Sequence, residues 1–147
     1  MSFEDKVNQI FDIVKRFPSK IENKKHVFRK RTADQIITDN YVTGCVDKAV
    51  VFVVLARAVH IPAKYIEALD NEWLKSADMH HISGHAYAEI FDGEKWRIAD
   101  PSHRKIDADI SADGLSVFGV GFDSWDLGLM DWGSMIAEFT KFVSRGK

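Results

Sequence analysis

The run from Tyr41 to Val59, YVTGCVDKAVVFVVLARAV, constrains this chain more than any other stretch. Its β-branched centre, AVVFVVL, suits a fully buried strand on propensity alone. The apolar pattern nevertheless continues through Leu55, Ala56, Ala58 and Val59, which is too long for a typical strand. Asp47 in a first turn and His60 at the end complement a helix dipole, and Pro62 prevents continuation. The segment therefore reads as a helix that is apolar almost all round and hence central to the fold.

The chain's one cysteine, Cys45, directly follows Gly44 at the first turn of that helix. A free thiol has a pKa near ~8.5, and the unpaired N–H groups and positive dipole end of a helix N-terminus favour its thiolate. A lone cysteine is ordinarily a small buried hydrophobe, so Cys45 acquires chemical meaning only through partners elsewhere in the chain.

With 147 residues, 46% of them hydrophobic and 12% aromatic, the chain reads as a single globular domain with a core that needs no staples. Within it, residues 1–30 form an N-terminal helix and basic loop, 31–102 the core of the domain, and 103–147 an aromatic loop and helix. Twenty basic against twenty-two acidic residues give a formal charge of −2, which argues against nucleic acid as the main partner. The local basic cluster Lys24 to Arg31, KKHVFRKR, reads as a solvated surface. One cysteine forms no intramolecular disulfide and fits a reducing compartment. No signal-peptide pattern opens the chain, and Ala49 to Ala56, its longest strongly apolar run, is too short for a membrane span. A cytoplasmic protein without membrane partners is expected.

Phe3, Val7, Ile10, Phe11 and Val14 recur at helical spacing and predict a first helix ending before Pro18. Thr32-Ala33-Asp34-Gln35 has capping-box spacing and opens a short helix closed by Asp39 and Asn40. Three strands are expected at Ala63–Leu69, His85–Phe91 and Glu94–Ala99, with a polar loop from Asp70 to Gly84. Ser134 to Ser144 sets Met135, Ile136, Phe139, Phe142 and Val143 on one face of a last helix.

Asp92-Gly93 between two alternating runs predicts a two-residue type I′ hairpin. Phe91 then faces Glu94, and counting back along the ladder sets His85 opposite Asp100. Facing residues share a sheet face with Cβ atoms ~4.5–5.5 Å apart, so the carboxylate can fix the imidazole tautomer and leave the other ring nitrogen outward. On this count a three-residue loop leaves the pair within reach, and a slip of two or more separates them. Together with Cys45 the pair makes a nucleophile, a base and an orienting group.

These motifs are familiar. YVTGC ahead of an apolar helix, then HIPAKYIEAL, then GHAYAEIFDGEKWRIADPS resembles the transglutaminase-like superfamily of papain-type thiol enzymes, from about Arg31 to Ser102. The resemblance implies an α+β fold, in which the central helix carrying the cysteine packs on an antiparallel sheet between flanking N- and C-terminal helices. It implies Cys45 as nucleophile, His85 as general base and acid, and Asp100 as the group that orients His85. Three positions depart from the usual pattern: His60 and Lys64 stand where Gly-Ile-Pro-Ala-Arg is common, and Tyr87 stands where Trp is frequent.

The function expected on this basis is acyl transfer on the amide bond of a peptide or protein through a thioester, with hydrolysis ahead of transfer to a second amine. Cys45 N–H is the natural first oxyanion donor. Tyr87, Asp123, Trp125 and Trp132 are candidates for the walls of a substrate cleft. No cofactor motif is visible. A metal site at His80, His81, His85 and Glu89 is disfavoured because positions 85 and 89 of one strand lie ~13 Å apart. A non-catalytic binding module on the same fold is the alternative of another class.

Overall fold

The computed structural model describes residues 1–145, an α+β arrangement of one five-stranded antiparallel sheet and flanking helices. Helix α1 (Phe3–Lys15) buries Val7, Ile10, Phe11 and Val14, the expected stripe, and Ser2 caps its start. A short helix α2 (Lys24–Val27) follows within the basic cluster. Helix α3 (Ala33–Asp39) begins at Thr32 with the expected capping box to Gln35 and ends at Asn40 in the left-handed conformation.

Helix α4 spans Cys45–Ala58, which settles the strand-or-helix ambiguity of the apolar run. Its Val46, Val50, Val51, Phe52 and Val53 are buried, because α1 and α3 cover one side of it and the sheet covers the other. Phe52 stacks on Phe11 with ring centroids 5.2 Å apart. Burying each such side chain contributes about 1.5–3 kcal/mol, enough for packing to override local β propensity.

The sheet runs β4–β3–β2–β1–β5, from β1 (Ala63–Asp70), β2 (Gly84–Phe91), β3 (Trp96–Asp100), β4 (Lys105–Ile106) and β5 (Leu115–Gly121). Two of these strands, β4 and β5, lie beyond the three expected. Tyr65, Ala86, Ala88 and Ala99 face α4, while Ile66, Ala68, Tyr87 and Ala108 form a smaller cluster on the opposite face.

The linker after β1 is not all loop. Asp70 caps helix α5 (Asn71–Ser76) by accepting from the N–H groups of Glu72 and Trp73. Trp73 is buried against Leu69, Leu129 and Phe139, the last contributed by helix α6 (Trp132–Arg145). Among the described residues no helix is long and apolar enough to cross a membrane.

The hairpin differs from expectation. Phe91 pairs with Trp96, not Glu94, and a four-residue connection replaces the two-residue turn. The cause is local: the Asp92 carboxylate accepts from the N–H groups of both Glu94 and Lys95, and Asp92 N–H donates to the Lys95 carbonyl. An Asx-type turn thereby outcompetes the type I′ geometry. The register shifts by two, so Ala88 stands opposite Ala99 and Asp100 falls opposite Tyr87.

Candidate active site

Cys45 is the first residue of α4, and the loop before it is tied down from within the core. The buried Asp47 carboxylate accepts from Thr43 N–H (2.8 Å), Thr43 Oγ1 (3.0 Å) and Arg31 Nη2 (2.9 Å). Arg31 also donates to the Tyr41 carbonyl and stacks over the Tyr41 ring. Gly44, at φ 157° and ψ −163°, occupies a region essentially restricted to glycine and offers no side-chain cap. The first-turn N–H groups are therefore left without a side-chain acceptor, as a site for a developing oxyanion requires.

His85 is the second residue of β2 and follows a glycine that no other residue can replace without movement. A Cβ at Gly84 would lie 2.5 Å from the Ala68 carbonyl oxygen of β1. The His85 ring packs edge-on against Tyr87, centroids 4.8 Å apart, and its Nε2 is 3.0 Å from each oxygen of Asp100. Nδ1 remains for the Cys45 sulfur, which lines the same pocket. Burial works against the imidazolium, but the bond to Asp100 and the neighbouring sulfur outweigh it and raise the His85 pKa to about 10.

Asp100 ends β3 immediately before Pro101. Because proline has no N–H, the carboxylate folds back onto the next donors, Ser102 N–H (3.0 Å) and His103 N–H (3.3 Å). His103 Nδ1 adds a 2.7 Å bond to Oδ2. Burial favours the neutral acid, yet the bonds from His85 and His103 prevail and bring Asp100 down to about 2.

His85 and Asp100 thus meet despite a register slip of two, contrary to the expectation that such a slip separates them. Side chains alternate with period two, so an even slip preserves the shared face, whereas a slip of one residue would have lost it. Diagonal neighbours ~7–8 Å apart at Cα remain within reach of an imidazole.

Nothing in the sequence signalled His103, nor the buried ion pair that lines the pocket. Arg29, from the supposedly solvated basic cluster, forms a bidentate ion pair with Glu67 (2.8 and 3.1 Å), and Tyr65 Oη donates to the same carboxylate. Arg29 and Arg31 are both buried side chains, while Lys25 and Lys30 of that cluster stay exposed.

The four cleft candidates separate. Trp132 lines the pocket with Cys45 and His85, and its ring lies 5.5 Å from that of Phe28. Trp125 donates from Nε1 to the Arg29 carbonyl and braces the wall from behind. Tyr87 is buried, donates to Asp113 (2.8 Å) and buttresses the His85 ring without facing the pocket. Asp123 neighbours Arg57 near the far end of α4, about 18 Å along the helix from Cys45, and lines no wall of this pocket.

The metal set considered from sequence does not assemble, since the exposed His81 pairs with Asp78 instead. Among the described residues, the one close group of potential metal ligands is His85, Asp100 and His103, their ligand atoms within 4.8 Å of one another. Its contacts of 2.7–3.0 Å are those of directly shared protons.

Comparison with known proteins gives a consistent picture. The fold matches a Cytophaga hutchinsonii protein named "Putative Cysteine Protease" (TM-score 0.59, 24% identity) over 82% of this chain and 37% of that one. The chain thus spans little more than a third of that protein's length. Calcium-bound LapG from Legionella pneumophila matches over 93% of this chain and 78% of LapG (TM-score 0.56, 13% identity). EGTA-treated LapG matches similarly, over 90% of this chain and 77% of LapG (TM-score 0.57, 15% identity). No curated protein sequence matches the chain significantly. The model of the transglutaminase-like superfamily matches residues 1–101, more than two-thirds of the sequence, and the chain belongs to that superfamily.

Proposed function

We propose that this protein is a cysteine-dependent amide hydrolase in which Cys45 is the nucleophile, His85 the general acid and base, and Asp100 the orienting carboxylate. The observation that carries the reading is the Asp100–His85 hydrogen bond, made at a pocket that Cys45 enters from a helix tip. With Nε2–H donating to Asp100, Nδ1 faces the sulfur, the orientation a proton shuttle requires.

Cys45 passes its thiol proton to His85 Nδ1 as Sγ attacks the amide carbonyl carbon, and the carbonyl oxygen takes up negative charge beside the first-turn N–H groups of α4. Collapse of this intermediate breaks the C–N bond, and the amine leaves with a proton from His85 Nδ1. Water then attacks the thioester, His85 takes its proton, and C–S cleavage releases the carboxylic acid and restores the thiol.

The test is turnover of a panel of peptide, isopeptide and small amide substrates by the native protein and by Cys45→Ala. Activity that survives in Cys45→Ala would refute the assignment. Iodoacetamide separates an enzyme from a binding module. In the native protein it should label Cys45 rapidly at pH 6–7, and His85→Ala should slow it. Labelling only after denaturation would favour the module.

A further inference from the structure

We infer that the cleft leading to Cys45 accepts a peptide segment rich in carboxylates, held by lysines of the α2 region. This deepens the hydrolase reading and rests on it for the identity of the reacting bond.

The pocket containing Cys45 and His85 is small, about 130 Å³, and a groove of about 690 Å³ lies beside it. Lys24, Phe28 and Trp132 line both cavities, so the groove adjoins the pocket that holds the sulfur. Lys24 stands at the junction: a Cβ placed on Gly44 would lie 3.9 Å from its ammonium. Lys25 and Lys30 line the outer groove.

The charge balance there favours an anion. Among the described residues none of these three lysines takes part in an ion pair, although the chain forms many elsewhere. Two acidic residues also line the groove, Glu22 and Asp131. Asp131 is already engaged, since its Oδ1 accepts from Ser134 N–H and Ser134 Oγ at the start of α6 (2.8 Å each). Lys24 Nζ also lies over the Phe28 ring, 4.8 Å from its centroid, so three ammonium groups face two carboxylates and the groove keeps an excess of positive charge. Between the charges, Trp132 is 51% and Ile21 69% exposed, a surface for apolar side chains alternating with acidic ones. Lysine at a surface acts as a strongly hydrated point charge, which suits carboxylates spaced along a flexible segment.

The test uses fluorescein-labelled peptides of equal length that alternate Glu, Gln or Lys with Leu, measured for anisotropy and for cleavage with the native chain and with the double variant Lys25→Glu/Lys30→Glu. The Glu peptide should bind and turn over better than the Gln peptide and the Lys peptide worse. The double variant should lower kcat/KM for the Glu peptide by roughly tenfold, since each reversed charge removes an attraction and adds a repulsion. Raising the salt concentration should narrow the preference. Iodoacetamide labelling of Cys45 should be the same in the variant, showing the site intact. Cleavage without any preference for the Glu peptide, or unchanged in the variant, would overturn the inference and leave the hydrolase reading standing. Lysine-dependent binding of the Glu peptide with no cleavage of any substrate would do the reverse. Neither binding nor cleavage of the Glu peptide would overturn the inference as well.

Discussion

His85 and Asp100 meet along a diagonal of the β2–β3 ladder: Ala88 stands opposite Ala99, yet His85 Nε2 lies 3.0 Å from both Asp100 oxygens. The carboxylate makes this contact while also accepting from the turn that follows it, so strand end, turn and imidazole are fixed by one side chain.

Asp100→Asn tests the orienting role without removing the turn. The amide oxygen can still accept from Ser102 N–H, but an amide nitrogen set against Nε2 favours the wrong tautomer. The expected outcome is a fall in kcat of about 10²–10⁴, the range attributed to a general acid–base, together with a lowered Tm because the ion pair with His85 is lost. His103→Ala removes only the bond to Oδ2 from a largely exposed ring and should cost far less. Steady-state kinetics on the best amide substrate decide both.

The pH dependence of stability follows from the same pair. His85 moves from 6.5 in the unfolded chain to about 10 when folded, so its stabilisation is complete below pH 6.5 and is lost as pH rises through about 10. Asp100 moves from 3.8 to about 2, so its contribution is present above pH 3.8 and is lost as pH falls through about 2. Urea unfolding between pH 6.5 and 10 should therefore show declining stability in the native chain and a flatter profile in His85→Gln. Equal slopes would contradict the assignment.

The elements that carry local signals were legible in sequence. The Thr32–Gln35 capping box, the stripe of α1 and the length of the α4 run each encode their structure within a few turns. The meeting of His85 with Asp100 was legible for a reason weaker than the one argued: parity survived although the turn type did not. Strand β5 was hidden because it is a half-exposed edge strand containing Gly119 and Gly121, where the side chains of Leu127 and Asp126 pack closely. The burial of Arg29 was illegible because its partner, Glu67, is 38 residues away.

Arg29 and Glu67 give a stability prediction of their own. Their side chains are 2% and 5% exposed, so removing one partner leaves an uncompensated charge in the core. Glu67→Gln should destabilise by about 3–5 kcal/mol, whereas the double replacement Arg29→Met/Glu67→Leu should recover much of that loss. The coupling is read from a double-mutant cycle in denaturant. Additive effects would mean that the two side chains act independently.

Gly84 links the fold to the site most directly. Its position lets β2 begin flush against β1, where a Cβ would fall 2.5 Å from a carbonyl oxygen that cannot swing aside. Gly84→Ala must therefore push the start of β2 outward, and His85 is the next residue. Overpacking of this kind costs about 1–3 kcal/mol, which a core built on α4 and the sheet can absorb without unfolding. The imidazole cannot absorb it: a displacement of the strand end lengthens the bonds from Nε2 to Asp100 and moves Nδ1 relative to the sulfur. The expected outcome is a folded protein with modestly lowered Tm, a kcat reduced by about 10²-fold as for other 1 Å misplacements, and slower iodoacetamide labelling of Cys45. If Gly84→Ala retained full activity with the same loss of Tm, the placement of His85 by the β1–β2 contact would be wrong.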